Sequence, residues 1–211
     1  MKYFNLLLVA LIALASCTSN HQKTDYDVIV YSGTSAGVMA AYSAKMLGKK
    51  VLLVESGKHL GGLSASGLGE TDIGNKYTVS GLSRDFYRRL GKNYGQFEAW
   101  RFEPKIAEAL FNQYMAEANV KVLMEHRIID LEQNVLEINN ITLEHSANSG
   151  PNRTLSAKVF IDASYEGDLL GKANVTYTIG REGNEAYQET LNGVQHAKSN
   201  LAQAASQKQT D

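Results

Sequence analysis

The chain has 211 residues, 44% of them hydrophobic, with 18 glycines and only 2 prolines, enough to bury the core of one domain with a small appendage. A formal net charge of −1 and the lack of any basic block exclude a general polyanion binder, because nothing could neutralise a run of phosphates. Nucleic acid is not an expected partner, and the 5 histidines are scattered without metal-ligand spacing, so no metal is expected either.

Lys2 and the apolar run from Tyr3 to Ala15 read as an export signal, too short to span a bilayer comfortably as a permanent helix. The run closes on Leu14-Ala15-Ser16-Cys17, which resembles a bacterial lipoprotein box, in which residues 1–16 are removed and Cys17 becomes the lipid-bearing first residue. A plain secretory signal with an incidental cysteine is the alternative. The lipid reading makes the protein exported and membrane-anchored. It uses the chain's only cysteine, and Thr18 resembles the residue that follows it in proteins sorted to the outer membrane. Residues 17–24 then form a polar tether.

An α/β pattern follows. Val28-Ile29-Val30-Tyr31 predicts a strand buried on both faces. A small-residue turn leads to a helix from about Ala36 to Leu47, with Val38, Ala41 and Met46 facing inward and Gly48 as its stop. Val51 to Val54 is a second buried strand, and strand, helix and strand in so short a span predict a parallel pair with a right-handed crossover. Residues 57–75 hold six glycines and no helical period, hence a long loop that other parts must hold. Leu60, Leu63, Leu68 and Ile73 make it too apolar to be purely solvated.

Helices follow over Gly81 to Leu90 and from Pro104 to near Asn119, the second on a 3.6-residue period of Ile106, Ala107, Leu110, Phe111, Tyr114 and Met115. Next come Val120 to Met124, His126 to Leu131, Val135 to Ile138 and Ile141 to His145, then a strand through Leu155, Ala157, Val159 and Ile161. They read as one parallel strand, a three-stranded antiparallel meander with a turn at Glu132-Gln133-Asn134, and a return to the main sheet. The domain thus spans residues 25–191, and residues 192–211 are a polar tail expected to be disordered or a frayed helix.

The turn Ser32-Gly33-Thr34-Ser35-Ala36-Gly37 sits where a dinucleotide-binding unit carries G-x-G-x-x-G, at the mouth of a helix whose free N–H groups and dipole suit a pyrophosphate. Only the third glycine, Gly37, is in place. Ser32 and Thr34 stand at the other two, small and with hydroxyls able to donate to a phosphate oxygen. A buried strand–helix unit with small residues for packing alone is the competing reading. Glu55 ends the second strand eighteen residues past Gly37, near where an acidic side chain holds a ribose hydroxyl pair; a solvated charge is the alternative. Turn, helix, strand and acid in that order favour a dinucleotide site. Gly61-Gly62 resembles the flavoprotein segment whose amides reach the flavin diphosphate and ring edge, with Ser64 alongside. A single cysteine excludes disulfide-reductase chemistry. His59 is a candidate acid or base, or a covalent flavin attachment point, against the commoner role of packing and hydrogen bonding.

The segments DVIVYSGTSAGVMAA, VLLVESGKHLGGLSASGLGETDIGN, GLSRDFYRRLG, WRFEPKIAEALFNQYMAEANVKVL and KVFIDASYEGDLLGKANVTYTIGREGNEAYQETLNGVQ together resemble the bacterial FAD-dependent oxidoreductase family. Its members are often exported and sometimes labelled xanthan lyase, and the resemblance covers roughly residues 25–195. It implies a Rossmann-like FAD-binding domain, FAD as cofactor, and hydride transfer from a small organic or glycan-derived substrate. It further implies that Ser32 to Gly37 hold the pyrophosphate and that Glu55, next to Ser56, holds the adenosine ribose. Asp162 and Ala163 would return to the flavin crevice with Asp168 at the next helix, and backbone near Arg127 would lie by the adenine. For both aspartates, capping and turn formation compete. Members commonly carry Gly-Gly-Thr at positions 32–34, so Ser32 departs from the family. They are also considerably longer, with a substrate-binding portion after Gly180-Arg181-Glu182-Gly183, so a truncated member is expected and no catalytic residue is assigned. A non-catalytic FAD-binding remnant and a ligand-binding surface lipoprotein that keeps the fold as scaffold are the alternatives.

Overall fold

The computed structural model describes residues 24–190 and Asn192. Cys17, the tether up to residue 23 and the tail apart from Asn192 lie outside the described residues. The chain divides into two compact units after Asn174, within the span expected to form one domain. Among the described residues the second unit carries a 3-10 turn, Asn184–Ala186, and the first carries every strand and α-helix.

Six strands form one sheet: β1 (Tyr26–Tyr31), β2 (Val51–Val54), β3 (Lys121–Leu123), β4 (His126–Asn134), β5 (Glu137–His145) and β6 (Arg153–Asp162). Their order is β3-β2-β1-β6-β5-β4. β1 lies parallel between β2 and β6, with Ile29 opposite both Leu52 and Phe160, and β3 extends the parallel set beyond β2. The connection from β1 to β2 is helix α1 (Ser35–Met46); α2 (Gly81–Asn93) and α3 (Pro104–Glu117) follow, and a short α4 (Asp168–Lys172) comes after β6.

Both faces of β1 and β2 are buried, as their unbroken apolar runs require. Val28, Val30, Val51 and Leu53 pack against Val38 and Ala41 of α1 and Leu110, Phe111 and Tyr114 of α3. Ile29, Tyr31, Leu52 and Val54 face the other way, onto Ile128, Ile141, Leu143 and Leu169. The layers are therefore helices, parallel strands and an antiparallel meander, the α/β arrangement the pattern predicts.

The meander has three strands, but not the expected three. Asn134 pairs with Glu137, so Glu132-Gln133-Asn134 stays inside β4, where exposed and half-buried positions alternate and polar side chains reach water. The chain turns instead at Val135-Leu136, with Val135 at φ 49° and Leu136 97% exposed. The two runs after the turn merge into β5, and the third strand is β6 itself. Arg153 to Ser156 pair antiparallel with β5, and Ala157 to Asp162 pair parallel with β1.

Met46 also differs. It lies five residues past Ala41, about 140° round the helix, and is 63% exposed beside Leu47 at 77%. Of the apolar side chains in the glycine-rich loop, Leu60 is buried and Ile73 half-buried, while Leu63 and Leu68 are exposed. Hydrogen bonds hold the loop: Gly61 N–H donates to Gly33 O at 2.7 Å, Phe102 N–H to Gly69 O at 2.7 Å, and Thr71 N–H to Trp100 O at 2.9 Å.

Candidate functional site

Three stretches of backbone meet at the carboxyl ends of β1, β2 and β6. β1 is the strand from which the chain leaves on one side through α1 to β2, while β6 lies on its other side. Such a switch in direction opens a crevice at the strand ends.

The first stretch leaves β1 at Ser32, whose φ of 77° is the left-handed conformation a glycine adopts without strain. Ser32 N–H donates to Val54 O at 2.8 Å, and Gly33 N–H donates to Glu55 Oε2 at 2.6 Å. Thr34 then caps α1: its Oγ1 accepts from Gly37 N–H at 3.2 Å and donates to Ala163 O at 2.8 Å. The hydroxyl hydrogen of Thr34 is thus committed to β6, and the threonine is a cap and a cross-brace rather than the phosphate donor it could have been. The N–H groups of Ser35 and Ala36, in the first turn of α1, remain at the positive end of the helix dipole.

Glycine identity here follows from crowding. An added Cβ at Gly37 would collide with Ser32 O, at Gly61 with the Phe111 ring, and at Gly62 with the Tyr165 hydroxyl. At Gly33 it would lie 2.5 Å from Leu60 Cδ2. The Gly61-Gly62 stretch runs directly against the turn, through a parallel bridge between Thr34 and Gly61. Both glycines have positive φ, 105° and 54°, and the 3-10 turn Gly62–Ala65 brings Ser64 to the same side.

Glu55 points into this junction. Its carboxylate accepts the N–H of Gly33, the N–H of Gly57 at 2.6 Å and the Ser56 hydroxyl at 3.4 Å, which fix its orientation while leaving lone pairs unused. The strand-end backbone is clamped from β4: His126 N–H donates to Glu55 O at 3.0 Å and Glu125 N–H to Gly57 O at 3.0 Å. Arg127 follows directly, so its backbone lies in the strand beside Glu55, while its guanidinium pairs with Glu144 at 2.7 Å.

The third stretch is the end of β6. Ala163 N–H donates to Tyr31 O at 2.9 Å, which keeps it at the crevice. Asp162, by contrast, spends its carboxylate locally: Oδ1 accepts the N–H and hydroxyl of Ser164 at 2.9 and 2.6 Å, and Oδ2 accepts Leu170 N–H at 2.8 Å. Turn formation is its role in this structure. Asp168 opens α4, its N–H donating to Ser164 Oγ at 3.0 Å. His59 forms a hydrogen bond with Glu108 of α3 at 2.8 Å, the bland role allowed for it.

Tyr165 was missed. Its hydroxyl accepts Leu63 N–H at 2.7 Å across 102 residues of sequence, tying the end of β6 to the Gly61-Gly62 stretch. Only its place two residues after Ala163 hinted at this. Also unforeseen was a cleft of about 290 Å³ beside the mouth of α1, lined by Ser35, Ala36, Ser64, Phe86, Tyr87 and Phe111 among others. Phe86 and Phe111 stack at 4.7 Å and Tyr87 stacks on Trp100 at 4.0 Å, so one wall is a rigid aromatic block. Their spacing marked these rings as core only. Amides at a helix mouth suit a diphosphate, an oriented carboxylate suits a diol, and an aromatic wall suits a planar ring. Among the described residues no group of three metal-ligating side chains occurs.

A family model described as FAD dependent oxidoreductase matches residues 27–210, reaching past Gln195 into the polar tail. No curated protein sequence matches the chain. Among solved structures it is similar to the flavin-dependent brominase Bmp2 (15% identity, TM-score 0.53, 74% of this chain and 42% of that one). It is also similar to L-proline dehydrogenase from P. horikoshii (12%, 0.53, 74% and 57%) and to a geranylgeranyl bacteriochlorophyll reductase-like protein from Thermoplasma acidophilum (18%, 0.54, 74% and 43%). At such identities the likeness bears on the fold alone, and this chain spans only about half the length of these three proteins.

Proposed function

The chain belongs to the FAD dependent oxidoreductase family, whose cofactor is FAD, and from that premise we propose that it holds FAD across the mouth of α1 and serves hydride transfer from a small organic or glycan-derived substrate. FAD, when bound, supplies the two-electron acceptor. The N–H groups of Ser35 and Ala36 hold the diphosphate, and Gly37 lets α1 start close against the end of β1 so that they face the crevice. Glu55 accepts from the ribose hydroxyls with the lone pairs that Gly33 and Gly57 leave unused. The Gly61-Gly62 stretch and Ser64 border the diphosphate and ring, and the aromatic wall gives the cleft an apolar side against which an uncharged ring can lie. We further propose that the protein is exported and lipid-anchored through Cys17, facing the periplasm from the outer membrane, as its N-terminal sequence suggests.

The observation that carries the cofactor reading is the meeting of the Ser32–Gly37 turn, the Gly61-Gly62 stretch and the oriented Glu55 carboxylate at the mouth of α1. The test is a titration with FAD followed by flavin fluorescence. Saturable binding that Glu55→Ala weakens about tenfold or more is expected, since a hydrogen bond to a charged group contributes about 1.5–3 kcal/mol. A folded protein that ignores FAD would overturn the reading.

A further inference from the structure

The amino ends of the parallel strands form a second surface, at the opposite edge of the sheet from the crevice. Here α1 ends and β2 begins. Met46 and Leu47 stand 63% and 77% exposed, although Met46 is expected from the sequence to face inward. They are followed by Gly48 at φ 76° and then by Lys49 and Lys50, both exposed. Lys50 is knitted to the entry of β1: its carbonyl accepts Asp27 N–H at 2.9 Å, and its own N–H donates to Asp27 Oδ2 at 2.9 Å. Lys45 lies in the last turn of α1 and Lys121 opens β3, while Lys158 bonds Asp27 Oδ1 at 2.7 Å.

Five lysines thus gather at one edge of a chain whose net charge is −1. Asp25 and Asp27 offset part of the lysine charge, Asp27 through its ion pair with Lys158, and leave the edge positive. Asp25 accepts from Ser156, Asp27 from Lys50 and Lys158, and Glu117 at the end of α3 pairs with Arg89 at 2.8 Å. An exposed apolar pair ringed by lysines is the chemistry of a surface that rests on anionic lipid headgroups.

Where the chain enters decides the occupant. β1 begins at Tyr26 in this same edge, and Cys17 lies eight residues before Asp25, at most about 28 Å of extended chain. A lipid on Cys17 would therefore hold this edge within reach of the bilayer. We propose that the Lys45–Lys50 turn, with Lys121 and Lys158, is a membrane-contact face that seats the protein on an anionic bilayer with its cofactor crevice turned away. The proposal rests on the lipid-anchored reading of Cys17. A protein partner would need no such closeness to the anchor.

The test uses the full chain, recovered from membranes and reconstituted in vesicles of phosphatidylethanolamine and phosphatidylglycerol. The mass of the N-terminal peptide reports the lipid on Cys17 independently. Leu47→Cys carries an environment-sensitive fluorophore, with Leu68→Cys, exposed on the loop after β2, as the control. If the mass shows Cys17 unmodified, the anchor reading has failed, and both labels are placed in a Cys17→Ser background so that the face is still measured.

The label at position 47 should shift to the blue and be quenched by nitroxide lipids, while that at 68 stays aqueous. Lys45→Gln with Lys49→Gln should weaken the quenched state by about 25-fold, at about fivefold per lysine. About 1 M salt, where the screening length falls to about 3 Å, should do much the same. A label at 47 as aqueous as that at 68 overturns the proposal. So does protection that appears only when other envelope proteins are added, which would identify a protein partner instead.

Discussion

At the carboxyl ends of the parallel strands an added Cβ meets Ser32 O at Gly37, the Phe111 ring at Gly61, and the ends of the Leu60 and Tyr165 side chains at Gly33 and Gly62, whereas at the amino ends an added Cβ at Gly48 meets nothing within 4 Å. Gly48 is there for its φ of 76°, the reversal between α1 and β2. Gly37 has no positive φ and is there because the helix passes so close to Ser32 O. One edge is built from close approach of backbone to backbone, the other from exposed lysines and an apolar pair. Glycine content alone does not separate a site from a turn; what the missing Cβ would strike does.

The sharpest way to break this contrast is Gly37→Ala. Its methyl must displace the end of β1 or the start of α1, so we expect a loss of about 3 kcal/mol in urea unfolding, and FAD binding should vanish with it. Wild-type stability and affinity in this variant would show that the close approach is not needed. Gly48→Ala is the counterpart at the other edge. It should cost about 1 kcal/mol, from left-handed φ alone, and leave FAD affinity within experimental scatter.

Ser32→Gly sharpens the comparison from the opposite sign. Ser32 adopts φ 77° at the crevice, so glycine there should stabilise the fold by somewhat less than about 1 kcal/mol, because unfolded glycine gains freedom. Flavin fluorescence should show affinity equal or tighter. Weaker affinity would mean that the Ser32 side chain itself contacts the cofactor.

The smallest effect concerns the amino edge in acid. Hydrogen bonds from Ser156 hold the Asp25 carboxyl below the usual aspartate range, and the Lys158 hydrogen bond does the same for Asp27. With folded values depressed, the unfolded state takes up protons first. The stabilisation is present above about pH 4 and drains away as pH falls through the folded values. Asp25→Asn with Asp27→Asn should flatten the loss of stability below about pH 4, read by thermal unfolding, and leave FAD binding at neutral pH unchanged. A slope as steep as wild type would assign acid sensitivity to other carboxylates.

The sequence by itself determined what repeats locally. The unbroken apolar runs of β1 and β2 required burial on two faces, the 3.6-residue period of α3 selected Ala107, Leu110, Phe111, Tyr114 and Met115 for the core, and turn, helix, strand and acid in order located the crevice. Each of these depends on a few consecutive side chains and the two periods of regular backbone. Tertiary structure decided what turns on partners far along the chain. Thr34 finds Ala163 129 residues away, Leu63 finds the hydroxyl of Tyr165, and Asp162 closes on Leu170 because α4 folds back over it. Val135-Leu136 turns where Asn134 pairs with Glu137, and β5 goes on to pair with β6. A hydrogen bond forms only where folding brings donor and acceptor within about 3 Å, and no local pattern records that distance.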